Sequence, residues 1–307
     1  MIQKNYIAID VSKKSLQVAT STHNISLGYT LAGLNKLISI AQKYENPLIV
    51  CEATGGYERD LMVCMYEHSI PVARITPSRI KAFNKSDGLK AKTDKIDAAQ
   101  ILRFAQSKEV EATAMPSETV QMFQALMDRR SHLSEMIARE KNREQMSSKY
   151  SRASIIKVIR ILETELKSIE SEIEELICSD NELSQKRETM IQVRGVGKIT
   201  AWSILAYLSE ITELNRNQIS ALAGVCPYNK DTGVYRGKRR IEGGRAKVRS
   251  CLFMAAKTAS IHNPQIKVYF EGLRERGKPY KCAMVAAMRK LLLHIQSLLK
   301  NPKKCIA

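Results

Sequence analysis

No run of 18 uninterrupted apolar residues occurs in the 307-residue chain, so no membrane span is expected. The opening MIQKNYIAID reads straight into a strand and leaves no room for a secretory signal. CxxC pairs and Cys/His zinc spacings are absent. The seven cysteines, Cys51, Cys64, Cys178, Cys226, Cys251, Cys282 and Cys305, are odd in number and scattered. They read as reduced thiols, most of them small buried residues, in a cytoplasmic protein. Internal repeats and low-complexity segments are missing too. Acids are scarce at one end. Residues 194–307 hold 22 Lys/Arg against 6 Asp/Glu, whereas residues 1–193 hold 27 against 25. A formal charge of +18 and a pI near 9.6 predict a polyanionic partner, gripped by the C-terminal part.

What is present reads as three sections. YIAID, LQVATS and ISLGYT between residues 6 and 30 predict three short strands, each rich in β-branched or aromatic residues. A helix over 33–44, the strand PLIVC (47–51), a helix near 57–68, the strand PVARI (71–75) and helices near 78–85 and 94–107 follow. Three strands and then alternating helix and strand predict a mixed sheet with helices on its faces, the element order of an α/β RNase H/RuvC-like domain. From about 117 to 180 the pattern is purely helical. Ile155, Ile159, Leu162, Leu166, Ile169, Ile173 and Leu176 repeat at alternating spacings of four and three. Such a seam serves either a self-associating coiled coil or an internal helical hairpin. The expected boundaries are 1–112, 113–186 and 187–307.

Four acids are candidates for chemistry. Asp10 ends the first strand, Glu52 follows PLIVC, and Asp94 and Asp97 open a helix three residues apart, on one face. Strand-end carboxylates on neighbouring strands converge at one sheet edge, and a helix packed there adds two more. Such a cluster can hold two Mg²⁺ ions about 3.5–4 Å apart, polarising a phosphate and activating the attacking oxygen. The plain alternatives are a turn aspartate and acids favoured by a helix N-terminus. Glu58, Asp60 and Asp87 read as exposed helix or loop residues.

AIDVSKKSLQV, CEATGGYE and LKAKTDKIDAAQIL resemble the DEDD transposases of the insertion-sequence-110 family, which includes Piv-type DNA invertases. The resemblance makes Asp10, Glu52, Asp94 and Asp97 the DEDD tetrad and Mg²⁺ the cofactor. It implies a guide RNA that is structured and pairs with donor and target DNA, and assembly as dimers that pair into tetramers. The coiled-coil arm and an α-helical C-terminal transposase domain complete the expected architecture.

In the C-terminal section, IQVRGVGKITAWSIL (191–205) has the form of a helix-hairpin-helix. Gly195 and Gly197 permit the turn, and Lys198 opens a helix whose free N–H groups can face a phosphate. An ordinary helix–helix turn is the alternative. The stretch 224–249 carries Arg236, Lys238, Arg239, Arg240, Arg245, Lys247 and Arg249 for backbone contact, with Tyr228 and Tyr235 for stacking. Here the resembling family has a serine nucleophile before a glycine. Thr232 stands in that place, before Gly233, and Ser250 is the fallback. The predicted function is Mg²⁺-dependent cleavage and exchange of double-stranded DNA. The rivals are a RuvC-like endonuclease without a covalent intermediate and a non-catalytic DNA-binding regulator.

Overall fold

The computed structural model describes residues 4–53, 55–86, 94–229, 237 and 239–301, except the side chains of 94–96. Thr232, Tyr235, Arg236 and Lys238 lie outside the described residues. The chain divides into two compact units, Met1–Pro116 and Ser117–Ala307.

In the first unit β1 (Asn5–Val11), β2 (Ser15–Ala19) and β3 (Asn24–Gly28) precede α1 (Leu31–Ala41). Then come β4 (Pro47–Glu52), α2 (Glu58–Glu67), β5 (Val72–Ile75), α3 (Pro77–Ser86) and α4 (Asp94–Lys108). The strands form one mixed sheet in the order β3-β2-β1-β4-β5. β1, β2 and β3 are antiparallel neighbours, while β4 runs parallel to both β1 and β5. Alternation along the strands builds two cores. Ile7, Ile9, Ile49 and Cys51 pack with Leu37, Leu61 and Met65 of α1 and α2. On the opposite face Ala8, Leu48, Val50 and Ala73 meet Ala98, Ile101 and Ala105 of α4. Alanines on both sides let α4 approach the sheet closely.

The second unit begins with α5 (Glu118–Gln145) and α6 (Lys149–Ser179), joined by three residues. The short link makes them an antiparallel hairpin. Ion pairs follow that register: Arg130–Glu170 at 2.8 Å, Lys141–Glu163 at 2.7 Å and Arg152–Glu144 at 3.0 Å. Ile159 is buried, and Leu162, Ile169 and Ile173 share one core with Phe123, Met127, Leu133 and Ile137 of α5. The predicted seam therefore closes within the chain, and it is not left open for a second copy. At the far end Ile177 rather than Leu176 is buried, because a straight helix drifts from a 3.5-residue repeat. This hairpin shares its core with the helices that follow, so the section expected to be a separate arm belongs to the second unit.

α7 (Asn181–Ile191) starts at Asp180, whose carboxylate accepts from the N–H groups of Glu182 and Leu183. α8 (Lys198–Tyr207), α9 (Arg216–Leu222), a two-strand ribbon of β6 (Pro227–Tyr228) and β7 (Arg240–Ile241), α10 (Ala246–His262), α11 (Pro264–Glu275) and α12 (Tyr280–Lys300) complete the unit. The ribbon lies in the Gly- and Arg-rich stretch, where the sequence predicts only an interruption between helices. α12 is long and apolar enough to cross a membrane by composition. Here it is a core helix, burying Met284, Met288, Leu291, Leu292 and Ile295. Gln296, also buried on it, donates to the carbonyls of Ile211 and Leu214 at 2.8 Å.

Candidate functional site

Sheet register brings two of the four acids side by side. Ile9 of β1 is level with Cys51 of β4, so the next residues, Asp10 and Glu52, stand level on adjacent parallel strands. Both are half-buried. By alternation they project from the face of Ala8 and Val50, the one that α4 covers. Asp97 is half-buried on α4, immediately before Ala98, which touches that face. Asp94 is the first residue of the same helix, and its side chain lies outside the described residues. Three carboxylates on two strands and one covering helix are a hard-oxygen donor set of the kind Mg²⁺ prefers. Among the described residues, no three acidic, histidine or cysteine side chains close into a cation site.

The segment after Glu52 is held from several sides. The Ala53 N–H donates to Ile75 at 2.9 Å, and the Tyr29 hydroxyl donates to the Tyr57 carbonyl at 2.6 Å. Glu58, expected to be exposed, is 3 % exposed. Its carboxylate accepts from the Gly56 N–H at 3.0 Å and pairs with Arg74 at 3.6 Å, so the acid folds the chain back over the end of β4. A buried carboxylate needs such partners. Nothing in the sequence around Glu58 signals Arg74, which comes from β5. Asp60 is exposed as expected, and Asp87 is outside the described residues. Cys51, beside Glu52 but on the opposite face, has its thiol pushed up to about 12 by burial and then by Glu58. It stays protonated and is no nucleophile.

Several cations proposed for nucleic acid turn out to hold the second unit together. Arg245 donates to both oxygens of Glu210, at 2.8 and 2.7 Å, and to the Tyr207 carbonyl at 2.5 Å. These hydrogen bonds hold the Glu210 carboxyl below its ordinary value. Lys247 pairs with Asp128 of α5 and lies over the Tyr207 ring. Arg249 donates to the Gly243 carbonyl at 2.6 Å, and Lys198 reaches Glu174 at 3.0 Å. Arg239 and Arg240 are exposed, with no ion pair among the described residues.

Gly195 and Gly244 have steric reasons to be glycine. At Gly195, with φ +101°, a Cβ would lie 2.6 Å from the Cβ of Ala259, so the turn between α7 and α8 packs directly on α10. At Gly244, with φ +69°, a Cβ would lie 2.3 Å from the Gly224 nitrogen, which closes the base of the basic stretch. Gly197 caps α8 without a side chain, and a Cβ there would meet nothing within 4 Å.

Comparison with known proteins adds the decisive observation. Residues 7–146 match the DEDD transposase model of IS110, and residues 187–271 match the model described as Transposase IS116/IS110/IS902 family. The chain belongs to the IS110 family of transposases. Pilin gene-inverting proteins of Moraxella lacunata and Moraxella bovis are each 26% identical to it over 303 residues, 95% of this chain and 94% of theirs. A structure of T. thermophilus RuvC in complex with Holliday junction substrate covers 36% of the chain and 100% of its own, with 11% identity and a TM-score of 0.26. In this transposase the first family match runs from β1 past the boundary between the units into α5. The second takes in the whole basic stretch.

Proposed function

We propose that this transposase cuts and exchanges DNA strands with Asp10, Glu52, Asp94 and Asp97 as its catalytic carboxylates, in an RNase H/RuvC-like unit. The observation that carries the reading is the level pair Asp10 and Glu52 on the face covered by the helix of Asp97. These four acids would hold Mg²⁺, which supplies positive charge to a phosphate in transition. The chain's own residues have two further tasks. The turn from Gly195 to Lys198 leaves the first N–H groups of α8 without a side-chain cap, in the manner of a helix-hairpin-helix phosphate contact. Arg239 and Arg240, exposed and without an ion pair among the described residues, grip phosphates with Arg236 and Lys238 of the same stretch, and Tyr235 stacks on a base. Replacing both Arg239 and Arg240 with alanine should lower the slope of log K against log salt by roughly 0.7–0.9 per lost contact. A titration of duplex DNA across salt concentrations measures it, and a slope equal to the parent's removes both arginines from the interface.

The nucleophile in this reading is the Thr232 hydroxyl. Its oxygen bonds to a DNA phosphorus, its proton passes to a neighbouring base, and the strand oxygen on that phosphorus leaves. The extra methyl of threonine stiffens χ1 and crowds the oxygen, so Thr232→Ser should keep or raise activity. The nearly isosteric Thr232→Val should abolish the denaturation-resistant protein–DNA adduct. An adduct from the valine variant moves the assignment to Ser250, and an active parent without any adduct favours attack by water. The structured guide RNA, and dimers pairing into tetramers, belong to the same proposal. The internal closure of the α6 seam means that any contact between copies uses another surface.

A further inference from the structure

None of the residues considered so far touches a groove of about 610 Å³ between α11 and α12. Its floor is apolar, formed by Pro264, Val268 and Tyr269, and Val268 is 71 % exposed. The middle is empty because position 272 is glycine, where a Cβ would meet nothing within 4 Å. Arg276 and Lys290 also line it. The Nε of Arg276 donates to the Gly272 carbonyl at 2.8 Å, which anchors the guanidinium, and among the described residues its terminal nitrogens form no ion pair. Lys290 is held with its ammonium 4.3 Å from the centre of the Tyr269 ring, and among the described residues it too has no carboxylate partner. Among the described residues no acid lines the groove, and residues 257–300 carry nine Lys/Arg against two Glu.

A single exposed valine needs no explanation. An exposed apolar floor of valine, proline and tyrosine, open above Gly272 and rimmed by two cations, suits an occupant with an apolar face and an anionic group. A second copy of this chain is a poor candidate, since it would bring its own charge of +18 to a basic rim. A nucleotide has the right chemistry: the base covers apolar surface and the phosphate takes the cations. The base must be unpaired, because a base stacked inside a duplex cannot offer its face to the floor. We propose that this groove holds one unpaired nucleotide of a DNA strand, its base against Val268 and Tyr269 and its phosphate at Arg276 and Lys290. The choice of DNA rests on the function proposed above.

Gly272→Leu tests the groove without opening the fold. Position 272 is helical, its surroundings are open, and leucine favours a helix more than glycine does. Thermal melting should show the variant at least as stable as the parent. Its affinity for a fluorescent oligothymidylate should fall about tenfold, with affinity for a duplex of equal length unchanged. Replacing Arg276 and Lys290 together with alanine should lower the salt slope for the oligothymidylate by about 0.7, one phosphate contact. An unchanged oligothymidylate affinity in Gly272→Leu overturns the proposal. So does a loss of mass in light scattering, which makes a second copy the occupant, and so does an oligouridylate bound more than tenfold better than the DNA. The readout is binding alone. Cleavage of DNA by the parent protein, scored in parallel, reports separately on the proposed function.

Discussion

Asp10→Ala and Glu52→Ala should each lower DNA strand cleavage by about a thousandfold or more, which is several kcal/mol of lost charge stabilisation. Duplex binding should stay within about twofold, because neither carboxylate attracts phosphate and both sit in the unit that carries little excess charge. Two features make the expectation sharp. Asp10 and Glu52 are level on neighbouring parallel strands, so either substitution empties half of one side-by-side pair. Both project where the sheet is covered by α4, so a lost carboxylate is not replaced by bulk water alone. Asp97→Ala should behave alike. Asp94→Ala tests the member whose side chain lies outside the described residues. Cleavage assays with Mg²⁺ and parallel binding titrations decide the matter. Parental cleavage rates in any two of the four variants would end the assignment.

Ile173→Asp should unfold the C-terminal unit. The Ile173 side chain on α6 is fully buried in the shared apolar core of the unit. Losing that contact and burying a carboxylate costs about 4 kcal/mol or more, a large part of the roughly 5–15 kcal/mol that holds a typical domain. Ile161→Asp is the control: at 68 % exposure it should change stability by no more than about 0.5 kcal/mol. Circular dichroism through a denaturant titration reads both. If Ile173→Asp stays folded and only its mass in solution falls, the seam is an interface between copies and not an internal hairpin.

The N-terminal unit was largely legible because its signals are local. Runs such as YIAID and PLIVC are short, β-branched and bounded by polar turns, and the strands appear within a residue or two of those limits. Asp10 and Glu52 were legible as acids at the close of apolar runs. β1 nonetheless continues one residue past Asp10 to Val11 and β4 takes in Glu52, because pairing with neighbouring strands and not the apolar run sets where each strand stops. Their common face came only with the register of β1 on β4, which places Ala8 level with Val50. The hairpin was legible as one of two alternatives, since a heptad stripe states that it wants a partner and not whose. Glu58 was not legible: a glutamate in a first helical turn reads as solvent-facing, and its reason for burial is Arg74, on another strand. The same limit applies to Arg245 and Lys247. Within KRRIEGGRAKVR they look identical in kind to Arg239 and Arg240. Their partners Glu210 and Asp128 lie 35 and 119 residues earlier, so only the folded chain separates the two groups.

That separation gives the C-terminal unit two electrostatic systems of different sensitivity. In the function proposed above, Arg239 and Arg240 meet phosphates at the solvent-exposed surface, where an interaction fades over a Debye length of about 8 Å at physiological salt. Arg245 with Glu210, and Lys247 with Asp128, are partly withdrawn from solvent and in direct contact, where screening is weaker. Rising ionic strength should thus strip nucleic acid from the surface long before it loosens the scaffold that presents it. In that proposed role the unit would let go of a strand without coming apart.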